Sequence, residues 1–102
     1  MARAFVVNEK YHDFAPLQNV DGVSEVIILT SGQVNIFHTD RITAEIRAKM
    51  TEHQITADDF IVPSGSNLLC IIATAEMVRQ TGTVNVLAYN FNDKQYKKRL
   101  SI

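Results

Sequence analysis

The run Val26-Ile27-Ile28-Leu29 carries no polar break, and three of its four residues are β-branched. Such side chains pack well on a pleated surface. A strand that is apolar at every position, rather than at alternate ones, is buried on both faces, as in a parallel sheet covered by other elements. Ala4-Phe5-Val6-Val7 and Phe60-Ile61-Val62 repeat the pattern, and each run ends in small polar residues. These are Asn8, then Thr30-Ser31-Gly32, then Ser64-Gly65-Ser66-Asn67 after Pro63. If the three strands are parallel, their ends share the carboxyl edge of one sheet, where open α/β sheets bind ligands.

Helical patterns separate the runs. Ile42, Ile46 and Met50 recur every four residues, with Arg41, Glu45, Arg47, Lys49 and Glu52 on the other faces. This predicts an amphipathic helix from His38 or Thr39 to about Gln54. A second helix is expected from Leu68 to Thr81, with cap residues before it and Gly82 as the residue that ends it. A strand over Leu68 to Ala73 is the rival reading. The apolar positions of this helix cover most of its circumference, which predicts deep burial, in the core or under a partner. Thr56 to Asp59 reads as a loop, with Asp58-Asp59 as a solvated cap before the third strand.

The remaining segments are strands and turns. Residues 10–20 read as a loop with one helical turn at Pro16, Asp21-Gly22 as a turn, and Gln33 to Phe37 as a short extension. Thr83 to Asn90 alternates as a strand, Asn90 to Lys94 turns, and Tyr96 to Ile102 returns antiparallel as an edge strand. The expected fold is a single α/β domain over residues 1–102. It is a three-layer Rossmann-like sandwich, with a mostly parallel sheet of about five strands and an antiparallel C-terminal edge hairpin.

Composition narrows the function classes. At 102 residues and 46% apolar, the chain can build one core, and a domain this small gains from oligomerisation. A net charge of −1 argues against a general nucleic-acid or anionic-membrane binder. Lys94, Lys97, Lys98 and Arg99 form the one basic cluster; they read first as lysine guards on an edge strand, and second as a phosphate-contacting tail. Cys70, the single cysteine, reads as a small buried hydrophobe. No apolar stretch is long enough to span a bilayer and no signal-peptide pattern precedes the first strand, so a cytoplasmic location is expected.

The candidate ligand-binding residues are Asn8, Tyr11, His12, Asp13, Thr30, Ser31, Gly32, Asn35, Ser64, Gly65, Ser66 and Asn67. Ser64 to Asn67 is neither a phosphate-binding P-loop, for want of its lysine and spacing, nor a nucleophile elbow, for want of the first glycine. It is a strand–SerGly–helix junction, where glycine admits close backbone approach and the helix start offers N–H groups to an anion. Asn8 and Asp13 suit a base or ribose, and Tyr11 suits stacking. Helix capping by Ser and Gly, and a capped turn at Tyr11 to Asp13, are the plainer readings of the same residues. His12, His38 and His53 lack paired ligands at helical spacing, so no metal and no cofactor is expected. His12 with Asp13 is the one ready general base, and the serines have no visible activator, so binding is favoured over catalysis.

Several of these segments together resemble small α/β proteins of tailed bacteriophages and some bacteria. They are Phe5-Val6-Val7-Asn8 with Tyr11-His12-Asp13, Leu29 to Asn35, Thr39 to Ile42, Asp58 to Ile61 leading into Ser64-Gly65, and Tyr96 with Arg99. The resemblance implies a phage or bacterial origin, a compact α/β fold and, for a phage protein, the host cytoplasm. It brings no activity and no residue role. The expected function is non-catalytic binding of a phosphate-bearing small molecule, a nucleotide first, by a phage protein sequestering a host nucleotide signal. The alternative is a small homo-oligomeric assembly or inhibitor protein acting through a protein–protein surface.

Overall fold

The structure is a computed structural model that describes residues 2–9, 14–20, 22–32, 37–90 and 92–101. Five strands, β1 (Ala2–Asn8), β2 (Val23–Thr30), β3 (Phe60–Val62), β4 (Asn85–Asn90) and β5 (Gln95–Ser101), form one sheet. Two helices, α1 (Thr39–Glu52) and α2 (Asn67–Thr81), join β2 to β3 and β3 to β4. A 3-10 turn at Ala15–Asn19 lies between β1 and β2, with Pro16 in its first turn. Residues 33–36 of the expected Gln33–Phe37 extension and Asp21 of the expected Asp21-Gly22 turn lie outside the described residues; Phe37 lies in a turn.

The strand order is β2-β1-β3-β4-β5, parallel throughout except for the antiparallel β4–β5 hairpin. The expected mostly parallel α/β sheet with its C-terminal hairpin is therefore present. Handedness explains the layers. A right-handed crossover moving one way along a sheet lies on one face, and a crossover moving the other way lies on the opposite face. The steps from β2 to β3 and from β3 to β4 run in the same direction. Accordingly α1 and α2 share a face, where Ile42, Ile46, Met50, Leu69, Ala73 and Met77 pack on Phe5, Val7, Ile27 and Leu29. Full burial of side chains this size contributes about 1.5–3 kcal/mol each. The step from β1 to β2 runs the other way, and its 3-10 turn sets Leu17 against Ala4, Val6, Val62, Leu87 and Tyr96. Among the described residues the third layer is this short 3-10 helix.

Local signals account for the helix ends. Ser66 caps α2, its Oγ accepting from the Leu69 N–H at 3.2 Å, and Gly82 closes it in the left-handed region at φ 82°. On α1 the expected face, Ile42, Ile46 and Met50, is the buried one.

Two expectations are corrected. Within the chain helix α2 is not buried all round, which corrects the expectation of burial in the core and leaves that of cover by a partner as it was: Leu69, Ala73 and Met77 face the sheet, while Ile71 is 64% and Val78 43% exposed. One flank rests on the sheet and one on α1, and among the described residues no element covers the outer side. The helix instead buries the carboxylate of Glu76, which accepts from Arg47 Nε at 2.9 Å, Arg79 Nε at 2.8 Å and Gln80 Nε2 at 2.9 Å. Burial alone would raise this carboxyl, but those donors outweigh it and pull its pKa down to about 2. The second correction concerns Asp59, expected in a solvated cap. Asp58 is exposed, whereas Asp59 is 1% exposed and ion-paired to Arg3 at 3.0 Å.

Candidate functional site

Parallel pairing brings the three strand ends together. Asn8 stands opposite Thr30, and Val6 opposite Val62, so Asn8, Thr30 and the Pro63–Ser66 turn emerge at one edge. The connection after β1 leaves toward β2, and the one after β3 leaves toward β4 across the other face. That divergence makes the carboxyl ends of β1 and β3 the topological switch point, the place where doubly wound sheets with the order 2-1-3-4-5 have the crevice that seats their ligands.

The crevice floor is closed by its own side chains. Ser64 extends the sheet by one rung where β3 has ended: its Oγ accepts from the Asn8 N–H at 3.0 Å and donates to the Asn8 carbonyl at 2.6 Å. The Asn8 amide donates to Thr30 Oγ1 at 3.0 Å and to the Gly32 carbonyl at 3.1 Å. Thr30 in turn donates to the Val7 carbonyl at 2.6 Å. Asn8, Thr30 and Ser64 are all buried, and among the described residues no buried side-chain nitrogen or oxygen lacks a partner. These three residues therefore hold the loops in register.

The outward groups are different ones. Ser31, Gly32, Gly65 and Asn67 are exposed at the rim. Ser66 takes the third N–H of α2, which leaves the first two, those of Asn67 and Leu68, without an intrahelical acceptor and directed out of the helix start. Gly65 lies so close to β1 that a Cβ there would stand 2.8 Å from Asn8 Cβ. Tyr11, His12, Asp13 and Asn35, the other expected site residues, lie outside the described residues.

Cys70 is half-buried and donates to the Ser64 carbonyl at 3.5 Å, and burial pushes its thiol pKa up. Among the described residues no three His, Cys, Asp or Glu side chains gather where a metal could sit. None of the described helices is long and apolar enough to cross a membrane.

A family model for phage Pam3 gp32-like proteins matches residues 2–100. The chain belongs to that family. The resemblance to small phage proteins is thereby borne out over nearly the whole chain. No curated protein and no solved structure matches it.

At this edge sequence reasoning took Arg99 only as part of the basic run and passed over the residues that gather beside it. Tyr89, Asn90 and Asn92 line a concavity with Arg99 beside the β4–β5 turn. The signal available was the Asn90-Phe91-Asn92 tripeptide beside the basic run, of which Phe91 lies outside the described residues.

Proposed function

We propose that this protein binds a phosphate-bearing small molecule, a nucleotide first, at the β1/β3 crevice, and holds it without turnover. The observation that carries this reading is a coincidence of position. The topological switch point, where such sheets bind ligands, adjoins the Ser64–Asn67 turn and the uncapped first N–H groups of α2, which favour an anion. Preorganisation supports it too: Asn8, Ser64 and Thr30 bind one another, so the strand ends beneath the site are already ordered. For a phage protein, retention of a host nucleotide signal is the natural consequence, in the host cytoplasm.

Asn67→Asp is the clean test. A carboxylate in the first turn of a helix is favoured by the helix dipole, so the variant is expected to fold at least as well as the parent. The same charge repels phosphate. Native mass spectrometry of freshly purified protein should show a stoichiometric adduct that yields a phosphate compound on denaturation, and Asn67→Asp should lose it. A clean unliganded mass for the parent, or an adduct that survives the substitution, overturns the reading.

A second reading rests on the outer side of α2. Leu68, Ile71, Ala75 and Val78 follow the 3-4-3 spacing of a helix-pairing seam, and Ile71 and Val78 are exposed. This face suits self-association or a protein target. Met77 is fully buried and cannot probe it. Ile71→Asp is expected to leave the fold intact and to shift sedimentation to the monomer; an unchanged mass removes this surface from consideration.

A further inference from the structure

We propose that the concavity beside the β4–β5 turn binds a small anion carried on a flat unsaturated ring, with Arg99 as its charge partner. The site is separate from the β1/β3 crevice and does not rest on the reading given for it. Its cavity measures about 400 Å³ and is lined by Tyr89, Asn90, Asn92 and Arg99. That volume accommodates a ring with one charged substituent and falls within the range of small-molecule pockets.

Arg99 is the first reason. Arg3, Arg47 and Arg79 are each tied to a carboxylate; among the described residues Arg41 and Arg99 are not, and of these two it is Arg99 that lines the concavity. Arg99 is exposed and makes no side-chain hydrogen bond or ion pair among the described residues. The one carboxylate of the hairpin, Asp93, is taken by Lys97 at 2.5 Å. Residues 93–99 carry a net charge of +3, whereas the rest of the chain carries −4. An incoming anion therefore meets an unpaired guanidinium in a locally positive field, and the planar fork of Arg suits a carboxylate or phosphate.

The backbone gives a second, independent reason. The β4–β5 register slips between Val86 and Leu87, which pair with Leu100 and Lys98, so Arg99 is the extra residue of a β-bulge. Bulges re-aim side chains and recur beside binding sites. Lysines guarding an edge strand account for Lys94, Lys97 and Lys98. They do not account for a bulge that takes an arginine out of the ladder next to a concavity.

The other walls supply the flat-ring preference. Tyr89 is held by an edge contact to Tyr96, with ring centroids 5.2 Å apart, and an aromatic wall favours stacking. The turn is already ordered: Asn90 Oδ1 accepts from the Asn92 N–H at 2.9 Å, and the Asn90 carbonyl accepts from the Lys94 N–H at 2.8 Å. With its oxygen so engaged, the Asn90 amide keeps its N–H₂ for an acceptor on the ring.

Two-dimensional amide NMR titrations with benzoate, adenosine 5′-monophosphate and inorganic phosphate test this. Saturable shifts are expected at Tyr89, Asn90, Asn92 and Arg99 with benzoate or the nucleotide, and binding at least tenfold weaker with phosphate alone. Tighter binding of the nucleotide assigns a phosphate ligand, and tighter binding of benzoate a carboxylate. Arg99→Ala should weaken binding at least tenfold at unchanged melting temperature, Arg99→Lys should restore part of it, and Asn67→Asp should leave it untouched. Shifts absent from these four residues with both ring compounds, or affinity unchanged in Arg99→Ala, overturn the proposal. Phosphate binding as tightly as the nucleotide overturns the ring preference.

Discussion

Asp59→Ala is expected to lower the unfolding free energy by about 3 kcal/mol, the largest loss from any single polar truncation in this fold. Asp59 is 1% exposed at the amino edge of the sheet. Its carboxylate accepts from the Arg3 N–H at 2.9 Å, Arg3 Nη2 at 3.0 Å and the Thr56 N–H at 2.8 Å. Arg3 reaches on to the carbonyls of His53 and Gln54 at the end of α1, and Asn85 Nδ2 donates to the Asp59 carbonyl at 3.1 Å at the start of β4. The carboxylate thus ties β1 to the loop that leads into β3, Arg3 extends the tie to the end of α1, and the Asp59 backbone joins it to β4. Removing the carboxylate leaves two backbone donors without their acceptor and the guanidinium without its counter-charge, held only by the His53 and Gln54 carbonyls. Arg3 keeps 21% side-chain exposure, so water recovers part of the loss, which places the figure at the low end of the 3–5 kcal/mol range for broken buried pairs. Urea denaturation measures it directly. A loss below about 1 kcal/mol, the level of an exposed pair, would show that the network is not coupled.

The same network sets the direction of the pH response. Burial pushes the Asp59 carboxyl up, but the Arg3 and Thr56 hydrogen bonds outweigh it and the net shift is downward. Glu76 is lowered likewise, to about 2. A folded-state pKa below the unfolded one means that the unfolded chain binds more protons as pH falls. The stability from both groups is therefore complete above about pH 5, beyond the unfolded carboxyl values. It drains away as pH falls toward 2. Asp59→Ala should shallow the acid limb of the stability curve while leaving its shape above pH 6 unchanged.

These two carboxylates also show why part of the molecule was not legible in its sequence. Continuous apolar runs announced β1, β2 and β3, because burial on both faces leaves no polar position. The period of Ile42, Ile46 and Met50 announced α1 by the same logic. Asp59 read as a solvated cap because its partner, Arg3, lies 56 residues away and only strand pairing brings it near. Glu76 sits among apolar residues of α2, and one of its arginines comes from another helix, 29 residues back. At the carboxyl edge the residue types were legible and their use was not. Asn8, Thr30 and Ser64 stood out as polar strand ends, yet their bonds run to one another, which depends on β1 lying between β2 and β3. Sequence order does not state that arrangement. The bulge that releases Arg99 is a register slip between two strands, and no pattern within either strand records it.

Gly65→Ala is expected to cost about 2–3 kcal/mol, and Gly32→Ala only about 1 kcal/mol. Both glycines have positive φ, 86° and 68°, so both variants incur the strain of a side chain in the left-handed region. They differ in what the new methyl meets. At Gly32 nothing lies within 4 Å; at Gly65 the methyl would stand 2.8 Å from Asn8 Cβ and 3.5 Å from a Leu69 methyl. Asn8 Cβ belongs to a buried strand end, so it cannot swing aside as a long surface side chain would. The extra loss isolates the close approach of the Ser64–Asn67 turn to β1. A double-mutant cycle with Asn8→Gly, which removes the opposing Cβ, should recover at least 1 kcal/mol of it. Equal losses at the two glycines, or no coupling to Asn8, would mean that the turn and β1 are not in contact. If the coupling is found, Gly65 variants will also disturb Asn8, and through its amide the end of β2 at Thr30 and, just beyond it, Gly32. A ligand lost on substituting Gly65 would then reflect displaced strand ends, whereas one lost on adding a carboxylate at Asn67 reflects charge at the helix start.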